Sequence, residues 1–186
     1  MPWERLAFDI GEHLALGTAR DAIKALPILD STGLTEEPLL RRAMLLLSIF
    51  GNAYVWGGDQ PSTMIPASVG VSWQVVADRL HRPMIISHAS IVLHNWRRIS
   101  VNGPIEPDNL RTLASFRGGP DEEWFYLVTA ATEAIGAQAI PCIIEAREAV
   151  QHDDPSNAAR MLERVLETID AITSMLRRMT ERCRPT

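Results

Sequence analysis

From Pro155 to Met179 the apolar residues return every three or four positions: Met161, Leu162, Val165, Leu166, Ile169, Ile172, Leu176 and Met179. That interval is one helical turn, and it excludes the two-residue repeat of a half-buried strand. Asp153 or Asp154 stands where an N-cap is needed, just before Pro155. A second run reads the same way. In TEEPLLRRAMLLLSIFGNAYVWGG, Leu40, Ala43, Met44, Leu47, Phe50 and Tyr54 recur at three and four. Thr35 is the expected N-cap, Pro38 sits in the first turn, and Gly57–Gly58 suit a left-handed stop. No alternating run of β-branched residues competes with these helices. The expected class is all-α.

The connections are irregular. MIPASVGVSWQVVADRL gives a loop and then a short helix carrying Val75, Val76 and Leu80, which Pro83 interrupts. MIISHASIVLHNW restarts as an apolar segment, and VNGPIEPDNL is turn chemistry. At 186 residues the chain fits one domain, or one domain with an appendage.

Composition excludes several functions. A net charge of −5 with scattered Lys and Arg argues against a nucleic-acid surface. Cys142 and Cys183 match no metal or redox spacing, so a reduced, cytoplasmic setting is expected. The N-terminus MPWERLAFDI lacks the pattern of a signal peptide. The apolar stretch at 43–53 is too short to span a bilayer, so no membrane partner is expected. No serine sits in a nucleophile elbow, and FRGGP lacks phosphate-loop spacing.

The stretch DEEWFYLVT, Asp121 to Thr129, raises a packing problem. Gly118, Gly119 and Pro120 break the chain, and three acids then fill the first turn of a new helix. Successive helical residues turn by about 100°, so Trp124, Phe125 and Tyr126 fan over about 200°. One ordinary apolar stripe cannot take all three. At least one faces a second packing surface, a partner or a pocket. Phe125 and Thr129 share a face, while Trp124, Val128, Ala131 and Ile135 form the neighbouring one. Periodicity alone leaves open a helix buried on two sides, with Thr129 bonded back to its own backbone.

Several segments in order carry a resemblance: AYVWGG, IPASVGV, VLHNWRR, GPIEPDNL, SFRGGPDEEWFYLV and EAIGAQAI, after LPILDSTGLTEEPLLRRAMLLLS. Together they resemble the indoleamine 2,3-dioxygenase family, haem enzymes that open the indole ring of tryptophan. The resemblance implies an all-α fold with residues 1–115 as the small helical domain and 116–186 as the first helices of a large haem-binding domain. Family members are roughly twice this long. Their proximal iron-ligating histidine and the arginine that pairs with the substrate carboxylate match no residue here, so the metal ligand is expected in the absent C-terminal half. No catalytic side chain is expected in this half. None of His13, His81, His88, His94 and His152 matches the axial position.

On the distal side the resemblance names substrate-binding residues: Phe125, Tyr126 and Thr129 from one segment, and His88, Ile91 and Val92 from another. His88 stands where the family usually has tyrosine, and Thr129 where serine or histidine is usual. The implied cofactor is haem b with its iron, bound only with the complementary half. The implied partners are an indole substrate, O2, and a complementary C-terminal chain or fragment, with a homo-oligomer as the other means of covering the helices. Three readings follow: a tryptophan dioxygenase completed by the missing half, a non-catalytic helical module, and a family enzyme altered for a modified indole.

Overall fold

A computed structural model describes residues 2–183. Seven α-helices dominate it: α1 Pro2–Ala15, α2 Ala19–Lys24, α3 Glu37–Trp56, α4 Ala67–Arg79, α5 Pro120–Gly136, α6 Ala139–Gln151 and α7 Pro155–Arg177. A π-helical turn spans Ala89–Leu93, and two three-residue strands, β1 Trp96–Arg98 and β2 Leu110–Thr112, pair as a ribbon. The chain is all-α apart from this ribbon, as expected. It divides into two compact units, Met1–Trp96 with Thr112–Glu123, and Arg97–Arg111 with Trp124–Thr186.

The first unit is built around α3. The expected stripe from Leu40 to Tyr54 is buried, but so are Leu45, Leu46, Ser48 and Ile49 on the other faces. A helix apolar all round belongs in the middle of a bundle, and α1, α2 and α4 surround this one. Ser48 is tolerated because its hydroxyl donates to the Leu45 carbonyl at 2.9 Å. Gly51 permits the close approach of α4: a Cβ there would lie 2.2 Å from the Trp73 ring.

Both ends of α3 depart from the sequence expectation. The helix begins at Glu37, with Glu36 rather than Thr35 as the flanking residue and no side-chain cap. Gly57 has φ −81°, so the stop is not left-handed. Arg20 does that work instead. Its Nε donates to the Tyr54 carbonyl at 2.8 Å and Nη2 to the Val55 carbonyl at 3.0 Å. A cation on the last free carbonyls also suits the helix dipole.

In the second unit, α6 and α7 pack on each other through Cys142, Ala146 and Met161, with Val165 beside them. Of the two expected caps, Asp154 is the one used: its carboxylate accepts from Asn157 N at 3.0 Å. The apolar stripe of α7 is only partly covered. Leu162, Leu166, Ile169 and Leu176 stay exposed, as do Ile140, Ile143 and Ile144 on α6. One apolar stretch is longer than 43–53: by length and composition alone, Pro120–Gln151 could cross a membrane. The helix is interrupted at 137–138, and a third of the most apolar window is buried.

Candidate functional site

The start of α5 is fixed by its own acids. Glu122 reaches back to the preceding loop and accepts three backbone N–H groups, from Phe116 at 2.7 Å, Arg117 at 3.0 Å and Gly118 at 2.8 Å. Gly118 and Gly119, with φ +74° and +98°, supply the left-handed turn that aims those N–H groups at one carboxylate. Glu123 accepts from Thr112 N at 3.2 Å. Asn95 secures the same segment. Its Nδ2 donates to the Ile91 and Ala114 carbonyls at 3.1 and 2.9 Å, and its Oδ1 accepts from Ala114 N at 2.9 Å.

The aromatic fan then separates. Trp124 is 1% exposed and Tyr126 8%, whereas Phe125 is 49% exposed. Phe125 and Tyr126 meet edge to face, with centroids 5.8 Å apart. Trp124 is held from several sides: its Nε1–H donates to the Arg178 carbonyl at 2.7 Å, and the guanidinium groups of Arg182 and Arg178 lie 4.1 and 5.2 Å from its ring. Asp108 keeps both cations there, accepting from Arg178 at 2.6 Å and from Arg182 at 3.2 Å. The Arg178 hydrogen bond first, and then the charges of Arg178 and Arg182, hold the Asp108 carboxyl below its ordinary pKa. Thr129 is half-buried, and its hydroxyl donates to the Phe125 carbonyl at 2.6 Å. The back-bonding that periodicity left open is therefore present, but the helix is not buried on the Phe125 side.

The other three residues lie on the π-helical turn of the first unit. His88 opens it and is exposed, Ile91 is half-buried, and Val92 is buried. A π turn carries one extra residue per hydrogen-bonded ring and is common where a helix serves a site. Ser90 within it is buried and within 3.2 Å of the Ser87 hydroxyl.

The histidines are differently employed. His13 Nδ1 lies 2.8 Å from the Thr18 hydroxyl, and His152 Nδ1 donates to the Glu148 carbonyl at 2.8 Å. His94 stands 3.5 Å from Arg82. Burial pushes its pKa down, and the Arg41 and Arg82 cations push it further. His81 adopts a left-handed turn, φ 51°, just beyond α4. Among the described residues no group of three or more His, Cys, Asp or Glu is placed to hold a metal ion.

The family model for indoleamine 2,3-dioxygenase matches residues 1–186. The chain belongs to the indoleamine 2,3-dioxygenase family. It is 34% identical to an indoleamine 2,3-dioxygenase of Aspergillus candidus over 98% of its own length and 46% of that protein. It is 32% identical to one of Penicillium citrinum, over 96% of this chain and 41% of the other. It is 30% identical to indoleamine 2,3-dioxygenase 1 of Rattus norvegicus, over 97% and 45%. The chain thus spans less than half the length of the curated relatives it matches. The motifs that mark the family have structural work here that their order alone does not reveal. The carbonyls of Tyr54 and Val55 in AYVWGG are where Arg20 binds, and Asn95 in VLHNW pins 113–114. Such side-chain-to-backbone ties leave no periodic trace, so sequence reasoning missed them.

Proposed function

We propose that this chain is one half of a haem dioxygenase that opens the indole ring of tryptophan or a tryptophan derivative, active once the remainder of the family's length is present. Residues 1–115 serve as the small domain and 116–186 as the start of the haem domain. The observation that carries the reading is Phe125, left 49% exposed between two buried aromatics on a helix whose first turn is held rigid by Glu122 and Glu123. A solvent-facing aromatic set edge to face against a buried tyrosine is suited to receive a flat ring.

The residues present fit the ligand side of a haem site and not its axial side. His94 already faces two arginine cations, which disfavours an iron neighbour. None of the five histidines stands at the axial position that the family resemblance implies. The axial ligand is assigned to the remainder. Haem, when bound, supplies the activation of oxygen.

This chain supplies orientation and exclusion of water. Phe125 offers its ring face to the indole. Thr129 has committed its only hydroxyl proton to the Phe125 carbonyl, so its oxygen meets a ligand as an acceptor. In the first unit, His88, Ile91 and Val92 on the π turn are assigned to indole binding by the family resemblance alone. His88 is the residue whose type favours an altered indole. The uncovered stripe of Leu162, Leu166 and Ile169 supports a complementary chain as partner, because soluble proteins rarely leave contiguous apolar patches larger than a few hundred Å².

A haem titration followed by absorption tests this reading. The 186-residue chain alone is expected to give no stoichiometric histidine-ligated spectrum, and the chain with its complementary half is expected to give one. A non-catalytic module gives none in either case. A stoichiometric histidine-ligated spectrum from the chain alone places the ligand among its own five histidines and contradicts the assignment.

A further inference from the structure

We propose that the first unit carries a binding site for a small arylalkyl amine, distinct from the haem and indole functions. Between α1, α3 and the loop at residues 29–34 lies a cavity of about 380 Å³, walled by Trp3, Leu34, Leu39, Ala43, Leu46 and Leu47. That volume lies within the range of small-molecule sites, and the mostly apolar wall with a few polar groups at the rim is their usual character.

The space is held open by construction. Leu39, on its wall, stays 46% exposed. Ser72 anchors one end, its hydroxyl accepting from Leu29 N at 2.9 Å. Asp30 accepts from Thr32 N at 3.0 Å and from the Thr32 hydroxyl at 2.6 Å, which fixes the turn. Arg79 anchors the far end, donating to the Ser31 carbonyl at 2.8 Å and the Leu34 carbonyl at 2.5 Å. A ligand's apolar body would cover the exposed part of this wall.

Charge at the rim selects the head group. Glu4, Asp30 and Arg42 line the cavity. Arg42 is already committed, with Nε and Nη2 on Glu4 at 3.1 and 2.6 Å and Nη1 on the Leu113 carbonyl at 3.3 Å. An anionic ligand therefore meets two carboxylates and a spent cation. Asp30 differs, because both Thr32 bonds engage Oδ1 and Oδ2 keeps its lone pairs for another donor. An ammonium on an apolar ring satisfies both the wall and the rim.

The test is an NMR titration of the isotope-labelled 186-residue chain with phenethylamine, and in parallel with phenylacetate. Phenethylamine is expected to shift the Gly33 and Leu34 amides and the Leu46 and Leu47 methyls saturably, and phenylacetate is expected to leave them unchanged. Asp30→Asn retains the acceptor for Thr32 but loses the charge, and because Asp30 is exposed it weakens binding by up to about fivefold. Gly33 lines the cavity, and a Cβ there meets nothing within 4 Å, so Gly33→Leu sets a bulky side chain at the rim without a clash and is expected to weaken binding. Equal affinity for phenylacetate, saturation elsewhere on the protein, or undiminished binding in Asp30→Asn overturns the proposal, and Asp30→Asn decides it should Gly33→Leu fail to fold.

Discussion

The indole N–H of Trp124 donates to the Arg178 carbonyl at 2.7 Å, tying α5 to the turn that follows α7 within the second unit. This is the best-held aromatic of the α5 trio. Trp124→Ala is expected to cost about 3–5 kcal/mol as a large-to-small change in a filled site. Trp124→Phe keeps most of the ring but leaves the Arg178 carbonyl without its donor, at about 1–3 kcal/mol. Urea denaturation of the two variants measures both losses.

Trp73 is the opposite case. Its Nε1 is buried, and among the described residues no hydrogen-bond partner meets it. Trp73→Phe removes that unsatisfied donor, a relief of about 1–3 kcal/mol, against the loss of part of a ring. The variant is expected to be clearly less destabilising than Trp124→Phe in the same denaturation assay. An equal or larger loss shows that the Trp73 N–H is paired in solution.

Glu122 satisfies three loop N–H groups with one carboxylate. Glu122→Ala is expected to cost about 1.5–3 kcal/mol, the range for a hydrogen-bonded charged group. Amide exchange is the specific readout. The Phe116, Arg117 and Gly118 amides should exchange faster, while those of the α3 core stay protected.

His94 gives the chain a mild-acid dependence. Burial first, then Arg41 and Arg82, holds its folded-state pKa below the ordinary value of 6.5. The unfolded chain therefore binds the proton more readily, and stability rises with pH through this window. The contribution is present above pH 6.5 and is lost as pH falls below 6.5 and through the folded pKa. Glu4 and Asp108, whose pKa values are lowered chiefly by hydrogen bonds from Arg42 and Arg178, act later. Their contribution is present above the ordinary carboxylate range and is lost as pH falls below it. His94→Gln should therefore flatten the stability curve just below about pH 6.5 and leave the steeper acid limb intact.

Local signals in the sequence were legible where the physics is local. Asp153 or Asp154 before Pro155 announced α7, and the three-and-four spacing of Leu40 to Tyr54 announced α3. The failures lie where a distant side chain decides. Thr35 satisfied every local rule for an N-cap, yet α3 begins at Glu37. Gly57 looked like a left-handed stop, but Arg20, far away in sequence, binds the last carbonyls instead. On α7 the stripe itself was readable, but not that Leu162 and Leu166 would stay uncovered, because coverage depends on other elements. The fan at 124–126 was the most informative misfit. Angular spacing required that at least one ring face a second packing surface, a partner or a pocket, and the structure leaves Phe125 49% exposed.

The most direct measurement pairs turnover with thermal melting for Phe125→Ala, Thr129→Ala and Trp124→Ala in the protein completed by its remaining half. If Phe125 receives the indole, Phe125→Ala loses the stacking surface, about 0.5–1.5 kcal/mol beyond the area term, and kcat/KM falls while Tm changes little. Thr129→Ala is milder, since water can replace a hydroxyl, and Trp124→Ala lowers Tm instead. Should Phe125→Ala melt as low as Trp124→Ala with activity per folded molecule unchanged, Phe125 is a packing residue and the account of this site is wrong.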